Sequence, residues 1–442
     1  MADAQPYIDE LAPLLAIPSV SADPAHRNDV WAAGEWVSAS LRAAGGECEI
    51  VDWKGQPLAV GELRASQDAG SAPTVMVYGH FDVQPPAPLE LWESEPFVPS
   101  VRDGWLYARG IADDKGQLYM LLRAASDLAR EGALPVNVRF CCDGEEETGG
   151  HSIVEFLGED ERGADVCVIF DSGYQEAGKP AFNLATRGLV YFHLTCRTGA
   201  RDLHSGMYGG AALNAVHALM QALAPALARD GRLPEPLRQG LAPVADEERE
   251  GWATLRPGSE ELAEAVARPM DGRAADEFYL RAWAEPTCEV NGLSGGEAVL
   301  QKTVLPVEAQ ANVSLRLAPG QDPDTIAAAF EQIVRDACPE GAELELERWS
   351  DSRPGLVPPD AKAIRLGLDA FERAVGTRPL LVRSGGTLPI VPALADKGIP
   401  TVLTGFALPE SNIHSPNERI PVEHLPLGVA AARELLLAFR EL

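Results

Sequence analysis

The first 187 residues alternate short apolar runs with segments whose apolar residues recur at a helical period, and this alternation restricts the fold more than any other feature. The apolar runs lie at residues 74–78, 136–142 and 166–170. The helical segments lie at residues 5–16, 29–44, 115–130 and 151–158. Apolar runs of this length indicate buried strands, and strands that alternate with helices are typical of an α/β domain with a mainly parallel sheet.

The pattern changes near Gly188, where half-exposed alternating strands replace the buried ones. Strands are predicted at residues 189–196, 309–317 and 342–348, and helices at residues 211–228 and 323–337. These elements indicate a smaller α+β domain with helices on one face of an antiparallel sheet, and residues 229–286 add a helical and loop insertion. The α/β pattern returns in predicted elements at residues 360–375, 379–382, 387–395 and 400–403. We therefore predict that a second domain, residues 188–356, is inserted into a first domain formed by residues 1–187 and 357–442.

The charge balance excludes one class of function. The chain has 37 Lys and Arg residues against 66 Asp and Glu residues, a formal net charge of −29, and no basic run. A protein that binds a nucleic-acid backbone needs clustered positive charge, so no nucleic-acid partner is expected. No apolar run approaches the roughly 20 residues of a membrane span, and no signal peptide is visible. The seven scattered cysteines form no Cys-x-x-Cys pair, which indicates reduced thiols and a cytoplasmic protein.

Three of the predicted strands end in polar clusters. His80-Phe81-Asp82 follows the first strand, a run from Asp143 to Glu147 follows the second, and Asp171 follows the third. The carboxyl ends of parallel strands lie at one edge of the sheet, where α/β domains bind their ligands. His80 and Asp82 are two residues apart in an extended segment, so Asp82 can hydrogen-bond one imidazole nitrogen while the other nitrogen binds a metal ion.

Each cluster also has an interpretation without a metal ion. Asp113 and Asp114 precede a predicted helix, where Asp commonly caps the amino terminus. Asp171 can simply begin a loop, and a lone histidine in a polar turn, such as His414, is more often structural than functional. Three adjacent glutamates at the end of a buried strand, however, repel one another unless a cation is present. Two histidines and three or four carboxylates at one sheet edge match a pair of divalent cations such as Zn²⁺.

Seven motifs occur in an order that resembles a known family. They are His80-Phe81-Asp82-Val83-Gln84-Pro85, Arg109-Gly110-x-x-Asp113-Asp114-Lys115-Gly116, Glu145-Glu146-Glu147-Thr148-Gly149, Asp171, Leu203-His204-Ser205-Gly206, Gly385-Gly386-Thr387 and His414-Ser415-Pro416-Asn417-Glu418. This set resembles the dinuclear-zinc metallopeptidases, which include carnosinase-like dipeptidases, aminoacylases, glutamate carboxypeptidase and succinyl-diaminopimelate desuccinylase. The resemblance runs from about residue 5 to the C-terminus, and it implies a catalytic domain with an inserted lid and dimerisation domain.

The resemblance implies a role for each residue at the sheet edge. The metal ligands that it implies are His80, Asp113 and Asp171 for one ion, and Asp113, Glu147 and His414 for the other. Asp82 would orient His80, and Glu146 would be the general base. The family commonly has a cis peptide bond between the paired aspartates, so we expect one between Asp113 and Asp114. Zn²⁺ is the expected metal, with Mn²⁺ and Co²⁺ as alternatives.

The resemblance also implies residues that bind the substrate. His204 would reach the active site of the partner subunit in a homodimer and stabilise the tetrahedral oxyanion. The residues expected to bind the substrate's carboxylate are Arg316, Gly385, Gly386 and Thr387. Ser384 stands where eukaryotic cytosolic dipeptidases usually carry a Glu that binds the substrate's free amine. This departure keeps two substrate classes open, small peptides and N-acyl amino acids.

The leading hypothesis is a metal-dependent dipeptidase or carboxypeptidase-like exopeptidase that cleaves an amide bond next to a free carboxylate. Attack would come from a metal-bridging hydroxide, with Glu146 as the general base. The alternative hypothesis is an N-acyl amino acid deacylase, with desuccinylases included. A third hypothesis, a catalytically silent binding protein on the same fold, is disfavoured because such a protein need not keep both the metal ligands and the base.

Overall fold

A computed structural model describes residues 3–386 and 388–442. Its α-helices are α1 (Gln5–Leu15), α2 (Arg27–Ala43), α3 (Lys115–Arg130), α4 (His151–Glu159), α5 (Ser205–Tyr208), α6 (Ala215–Leu223), α7 (Asp246–Trp252), α8 (Gly258–Glu264), α9 (Phe278–Ala284), α10 (Pro323–Ala337), α11 (Lys362–Val375), α12 (Ile390–Asp396) and α13 (His424–Ala438). Within the described ranges, no helix combines the length and the apolar character that a bilayer crossing requires.

The strands fall into one large sheet, one smaller sheet and two short ribbons. They are β1 (Glu47–Trp53), β2 (Gln56–Leu63), β3 (Thr74–His80), β4 (Ser100–Arg102), β5 (Trp105–Tyr107), β6 (Asn137–Asp143), β7 (Val166–Phe170), β8 (Ala181–Thr186), β9 (Gly188–Arg197), β10 (Leu203–His204), β11 (Thr287–Gly295), β12 (Val304–Leu305), β13 (Glu308–Leu317), β14 (Glu343–Ser352), β15 (Gly355–Leu356), β16 (Leu380–Arg383), β17 (Thr401–Thr404) and β18 (Arg419–Pro421).

The large sheet has the order β1-β2-β6-β3-β7-β17-β8-β15, with β16 paired to β8. Its central strands β6, β3, β7 and β17 are parallel, and β1, β2 and β15 are antiparallel to their neighbours. In β3, Val75 and Val77 pack into the core under α1, α2, α3, α11 and α13, whereas Met76 and Tyr78 pack under α4 and α12. Successive strand residues thus face opposite cores, which explains the continuous apolar run and confirms the predicted α/β fold class.

The smaller sheet is antiparallel, with the order β11-β13-β9-β14. Val190, Phe192 and Leu194 of β9 are buried against α6 and α10, while the residues between them face the other side of the sheet. The predicted α+β arrangement, with helices on one face of an antiparallel sheet, is therefore present. The predicted domain boundaries stay a prediction, and β15 pairs with β8 of the large sheet although it lies inside residues 188–356.

The predicted helix at residues 211–228 is wrong at both ends. The observed α6 begins after Asn214, whose side-chain oxygen accepts the backbone N–H groups of Val216 and His217 and so caps the helix. Pro225, which has no backbone N–H to continue the hydrogen-bond pattern, follows the C-cap residue Ala224. The apolar pattern continued past the helix because residues after Pro225 also pack into the core of the smaller sheet.

The insertion at residues 229–286 is helical, as predicted, but it also packs against the large sheet. Trp252 of α7 donates its indole N–H to the carbonyl of Leu381 in β16 at 3.0 Å. Arg383, at the end of β16, contacts Glu248 of α7 through Nε to Oε1 at 2.6 Å and Nη2 to Oε2 at 3.1 Å. Both side chains are only 2% exposed, so this ion pair fastens the insertion to the strand that leads into Ser384.

We predict that Glu248→Ala destabilises the protein by about 3–5 kcal/mol, because it leaves the Arg383 guanidinium buried without its counter-charge. Glu247→Ala is the matched control, since Glu247 pairs with Arg365 where the side chains are 47% and 40% exposed. Such an exposed pair contributes less than about 1 kcal/mol. Urea unfolding monitored by tryptophan fluorescence would compare the midpoints, and equal midpoints for the two variants would contradict the prediction.

Candidate metal centre

The residues predicted to bind or orient the metal ions, and the predicted general base, lie at the carboxyl edge of the large sheet. His80 is the last residue of β3 and is paired in register with Asp143, the last residue of β6. Glu146 and Glu147 occupy the turn that follows β6, and Asp171 directly follows β7. Because β3 lies between β6 and β7, the parallel register brings these three strand ends together, as the sequence predicted.

Asp113 stands between the two histidines. Its Oδ1 lies 3.0 Å from Nε2 of His80, and its Oδ2 lies 2.8 Å from Nε2 of His414. His80 Nε2 is also 3.9 Å from Oδ1 of Asp171, and His414 Nε2 is 3.1 Å from Oε2 of Glu147. The structure therefore brings all five predicted ligands together in two groups that share one carboxylate, with the ligand atoms of each group within 4.8 Å of one another.

Asp82 fixes the orientation of its neighbours. Nδ1 of His80 lies 3.1 Å from the backbone carbonyl oxygen of Asp82 and 3.3 Å from its carboxylate. The carboxylate also accepts the backbone N–H groups of Glu146 and Glu147 at 3.2 and 3.1 Å. Asp82 thus contacts Nδ1 through both its carbonyl and its carboxylate, which leaves Nε2 of His80 directed toward Asp113.

Gln84 has a role that the sequence did not reveal. Its backbone N–H donates to Oε1 of Glu147 at 3.1 Å, and its side-chain amide donates to Oε2 at 2.8 Å. The residue lies within the motif that begins at His80, but only the folded contact identifies Glu147 as its partner. Gln84 therefore orients one predicted ligand as Asp82 orients another.

The two adjacent aspartates have different environments. The peptide bond between Asp113 and Asp114 is cis, which confirms that prediction. Asp114 is buried, and its Oδ2 accepts the backbone N–H of His80 at 3.1 Å. Asp114 is the N-cap residue of α3, yet its side chain makes no capping hydrogen bond. The helix-cap interpretation is thus wrong, and Asp113 reaches into the cluster while Asp114 packs behind it.

The charged groups of the cluster shift one another's pKa in both directions. Although burial opposes it, hydrogen bonds to His414 and His80 lower the pKa of Asp113. Burial raises the pKa of the Asp171 carboxyl well above its ordinary value, and the nearby Asp113 carboxylate raises it further. Burial also raises the pKa of Glu146 to about 7, against the opposing effect of His80. Hydrogen bonds to Asp113 and Glu147 raise the pKa of His414 to about 10. These pKa shifts indicate an excess of negative charge in the cluster. Imidazole and carboxylate groups are ligands that divalent cations prefer, so the cluster is suited to bind such cations.

The residues predicted to bind substrate lie on other elements. His204 is exposed on the ribbon of β10 and β12, where its Nδ1 accepts the backbone N–H of Gly206 at 3.0 Å. Arg316 is half-buried on β13 of the smaller sheet. Gly385 and Gly386 are exposed after β16, and Thr387 lies outside the described residues. Neither metal-binding group found among the described residues includes His204 or Arg316.

Arg187 connects the two sheets and was missed by the sequence analysis. It lies between β8 and β9, and its backbone N–H donates to the carbonyl of Gly386 at 3.0 Å. Its guanidinium donates to the carbonyls of Ala282 and Glu285, each at 3.1 Å. Burial, together with the nearby Arg316, lowers the pKa of Arg187 to about 10. In the sequence, the only sign of this role is a single Arg between two apolar strands, and that pattern does not reveal which residues it contacts.

The fold is an α/β domain, and the edge of its large sheet carries two candidate ligand groups that share one carboxylate. This combination is typical of dinuclear metal-dependent hydrolases. The sequence profile of Peptidase family M20/M25/M40 matches residues 76–438, and the chain belongs to this family. The family resemblance and the prediction of a metallopeptidase are therefore confirmed.

Relatives align with nearly the whole chain. The cysteinylglycine-S-conjugate dipeptidase of Corynebacterium striatum is 28% identical over 440 residues, which cover 97% of this chain and 94% of that protein. The Cys-Gly metallodipeptidase dug1 of Schizosaccharomyces pombe is 26% identical over 96% of this chain and 93% of its own length. An M20 family metallo-carboxypeptidase from Sulfolobus solfataricus matches the structure with a TM-score of 0.82 at 23% identity, over 100% of both chains, which shows the shared fold.

We predict that Asp113→Asn lowers the metal content of the protein more than Asp171→Asn does, because only Asp113 belongs to both ligand groups. Glu145→Gln is the control, since Glu145 lies in the same acidic run but uses Oε1 to accept the backbone N–H of Ser152 at 2.7 Å. Metal content after dialysis would be measured by atomic emission. If Asp113→Asn retains as many ions per chain as Glu145→Gln, the shared-ligand assignment is wrong.

Proposed function

We propose that this protein is a metal-dependent dipeptidase with two divalent cations at the edge of its large sheet. The observation that carries the proposal is the Asp113 carboxylate, whose two oxygens contact two different histidines at 3.0 and 2.8 Å. The bacterial and yeast relatives named as dipeptidases align over more than nine tenths of the chain, which supports a dipeptide as the substrate.

Each cation would have one imidazole and two carboxylates from the chain, with Asp113 common to both. We infer Zn²⁺ from this mixed nitrogen and oxygen set, with Mn²⁺ and Co²⁺ as the alternatives. When bound, such a pair lowers the pKa of a water molecule and polarises the carbonyl of the substrate.

Glu146 is the residue that would move the proton. Its Oε2 lies 3.9 Å from Nε2 of His80, so the carboxylate is at the cluster, yet it belongs to neither ligand group. A carboxylate at this position can take a proton from the attacking water and deliver it to the nitrogen of the leaving amine. Asp82 supports this role because it holds the backbone N–H of Glu146.

The carboxylate of the substrate would be bound from the smaller sheet and from the loop after β16. Arg316 offers a guanidinium, which can grip a carboxylate through two hydrogen bonds. Gly385 and Gly386 allow close approach of the backbone to the ligand. Arg187, through its hydrogen bond to Gly386, links that loop to the junction of the two sheets.

We infer a homodimer in which His204 stabilises the oxyanion in the site of the partner subunit. His204 is exposed, and it lies outside both metal-binding groups of its own chain. Met207, three residues after His204, is exposed, as are Val299 and Leu300, and β11 is an edge strand of the smaller sheet. Exposed apolar side chains and an edge strand favour association with another chain.

We place the enzyme in the cytoplasm, without a nucleic-acid or membrane partner. The cysteines of the chain are free thiols, which suits a reducing compartment. The formal net charge of −29 opposes binding to nucleic acid.

The substrate class is tested with the purified, metal-loaded protein on a panel of dipeptides and of N-acetyl and N-succinyl amino acids. We expect hydrolysis of dipeptides, and a loss of about 10²- to 10⁴-fold in kcat for Glu146→Gln because the general base is removed. Glu145→Gln serves as the control and should keep nearly full activity. Turnover of the N-acyl compounds alone would support the deacylase, which Ser384 favours, and would overturn the dipeptidase.

The shared active site is tested by mixing two inactive variants, His204→Ala and Glu146→Ala. A mixed dimer would contain one site with the intact Glu146 of one chain and the intact His204 of the other. Random exchange of subunits should therefore restore about a quarter of the wild-type activity, because half of the dimers are mixed and each has one complete site. If the mixture is as inactive as its two components, His204 does not act across a dimer.

A further inference from the structure

Two motif residues that have no role in the proposed chemistry form a buried ion pair. Arg109 and Glu418 are 1% and 0% exposed, and Nη1 of Arg109 lies 2.5 Å from Oε2 of Glu418. The residues are 309 positions apart in the chain. A buried ion pair is an uncertain source of stability, because removal of both charges from water offsets much of their attraction. The position of this pair in the fold suggests a different role.

Glu418 holds the loop that leads to Asp113. Its Oε2 accepts the backbone N–H of Gly110 at 3.0 Å, and its Oε1 accepts those of Ala112 and Asp113 at 2.8 and 3.1 Å. This one carboxylate accepts from four donors, which are the three backbone N–H groups and the guanidinium of Arg109. The backbone conformation immediately before the Asp113 side chain is therefore fixed by a residue from the far end of the sequence.

Arg109 holds two further segments of the site. Its Nη2 donates to the carbonyl of Ser415 at 3.3 Å and to that of Pro85 at 3.4 Å. Ser415 is the residue after His414. The backbone of His414 has a φ of 60°, a left-handed conformation that is uncommon for residues other than glycine. The ion pair thus joins the segments that carry Asp113 and His414, and it also contacts Pro85 in the segment that follows His80. None of the hydrogen bonds described for it reaches the segment of Asp171.

We propose that Glu418, together with Arg109, is a positioning residue that sets the separation of Asp113 and His414 and so the affinity for the cation held by these two residues and Glu147. This inference rests on the ligand assignment of the proposed function. The carboxylate of Glu418 contacts residues 109–113, and Asp113 belongs to both ligand groups, so loss of Glu418 weakens the binding of both ions. The ion of the His414 group is affected more, because Arg109 also holds the carbonyl group of Ser415.

The test is a calorimetric titration of the metal-free protein with Zn²⁺. Residues that orient metal ligands typically change metal affinity about 10- to 100-fold, so in Glu418→Gln we expect one of two ions to bind at least about tenfold more weakly. The other ion, which also has Asp113 as a ligand, should lose less affinity than the first. Glu423→Gln, a change of the same kind at an exposed position five residues away, should bind both ions as the wild type does.

Glu418→Asp covers the case in which the glutamine variant does not fold, because it keeps the charge but withdraws the oxygens from the backbone of residues 110–113. For this variant, the rise in melting temperature on addition of Zn²⁺ should be smaller than for Glu423→Gln. His414→Ala reports on the ligand assignment separately, since it should bind a single ion tightly. If His414→Ala loses one ion while both Glu418 variants bind two ions with unchanged affinity, or bind both ions equally weakly, the positioning role is wrong. If His414→Ala itself keeps two tight ions, the ligand assignment fails and this inference fails with it.

Discussion

Repulsion among carboxylates gathered at one sheet edge is the constraint on which the rest of this structure depends. Asp113, Glu146, Glu147 and Asp171 come from three separate segments, and burial together with mutual repulsion raises the pKa of Asp171 and of Glu146. Two imidazoles give only partial relief, although His414 has a raised pKa because it contacts two of these carboxylates. Added positive charge stabilises the charged form of such a cluster, and two divalent cations would supply it.

Several residues around the cluster fix its members in place through hydrogen bonds. Asp82 binds the backbone of Glu146 and Glu147, Gln84 binds both oxygens of Glu147, and Asp114 binds the backbone of His80. Most of the partners lie at or just after the ends of the neighbouring strands β3 and β6. The hydrogen bonds oppose the tendency of like charges to move apart, so the ligand atoms stay within 4.8 Å of one another in each group. The parallel sheet therefore supplies the geometry, and the surrounding hydrogen bonds maintain it.

The sequence predicted what depends on local pattern. The strands β3, β6 and β7 were predictable because their residues are apolar on both faces, and their polar ends located most of the site. The hairpin of β1 and β2 was not predicted, because β1 alternates charged and half-buried residues and reads as exposed chain. The partner of Gln84 and the role of Arg187 were not predictable either, since both depend on contacts between segments that are distant in the sequence. The local sequence pattern thus identifies candidate site residues, whereas the role of each residue depends on its tertiary contacts.

The metal centre also bears on how the chain is held together. The candidate ligands come from segments near residues 80, 113, 147, 171 and 414, so bound cations would connect the catalytic segments of the first part of the chain to the segment near its end. Free energy of metal binding that depends on the folded arrangement is also free energy of folding. Without the cations, the same segments carry repelling charges, and the hydrogen bonds of Asp82, Gln84 and Asp114 must oppose that repulsion alone. The arrangement proposed for hydrolysis would therefore also make the cations long-range cross-links between these segments.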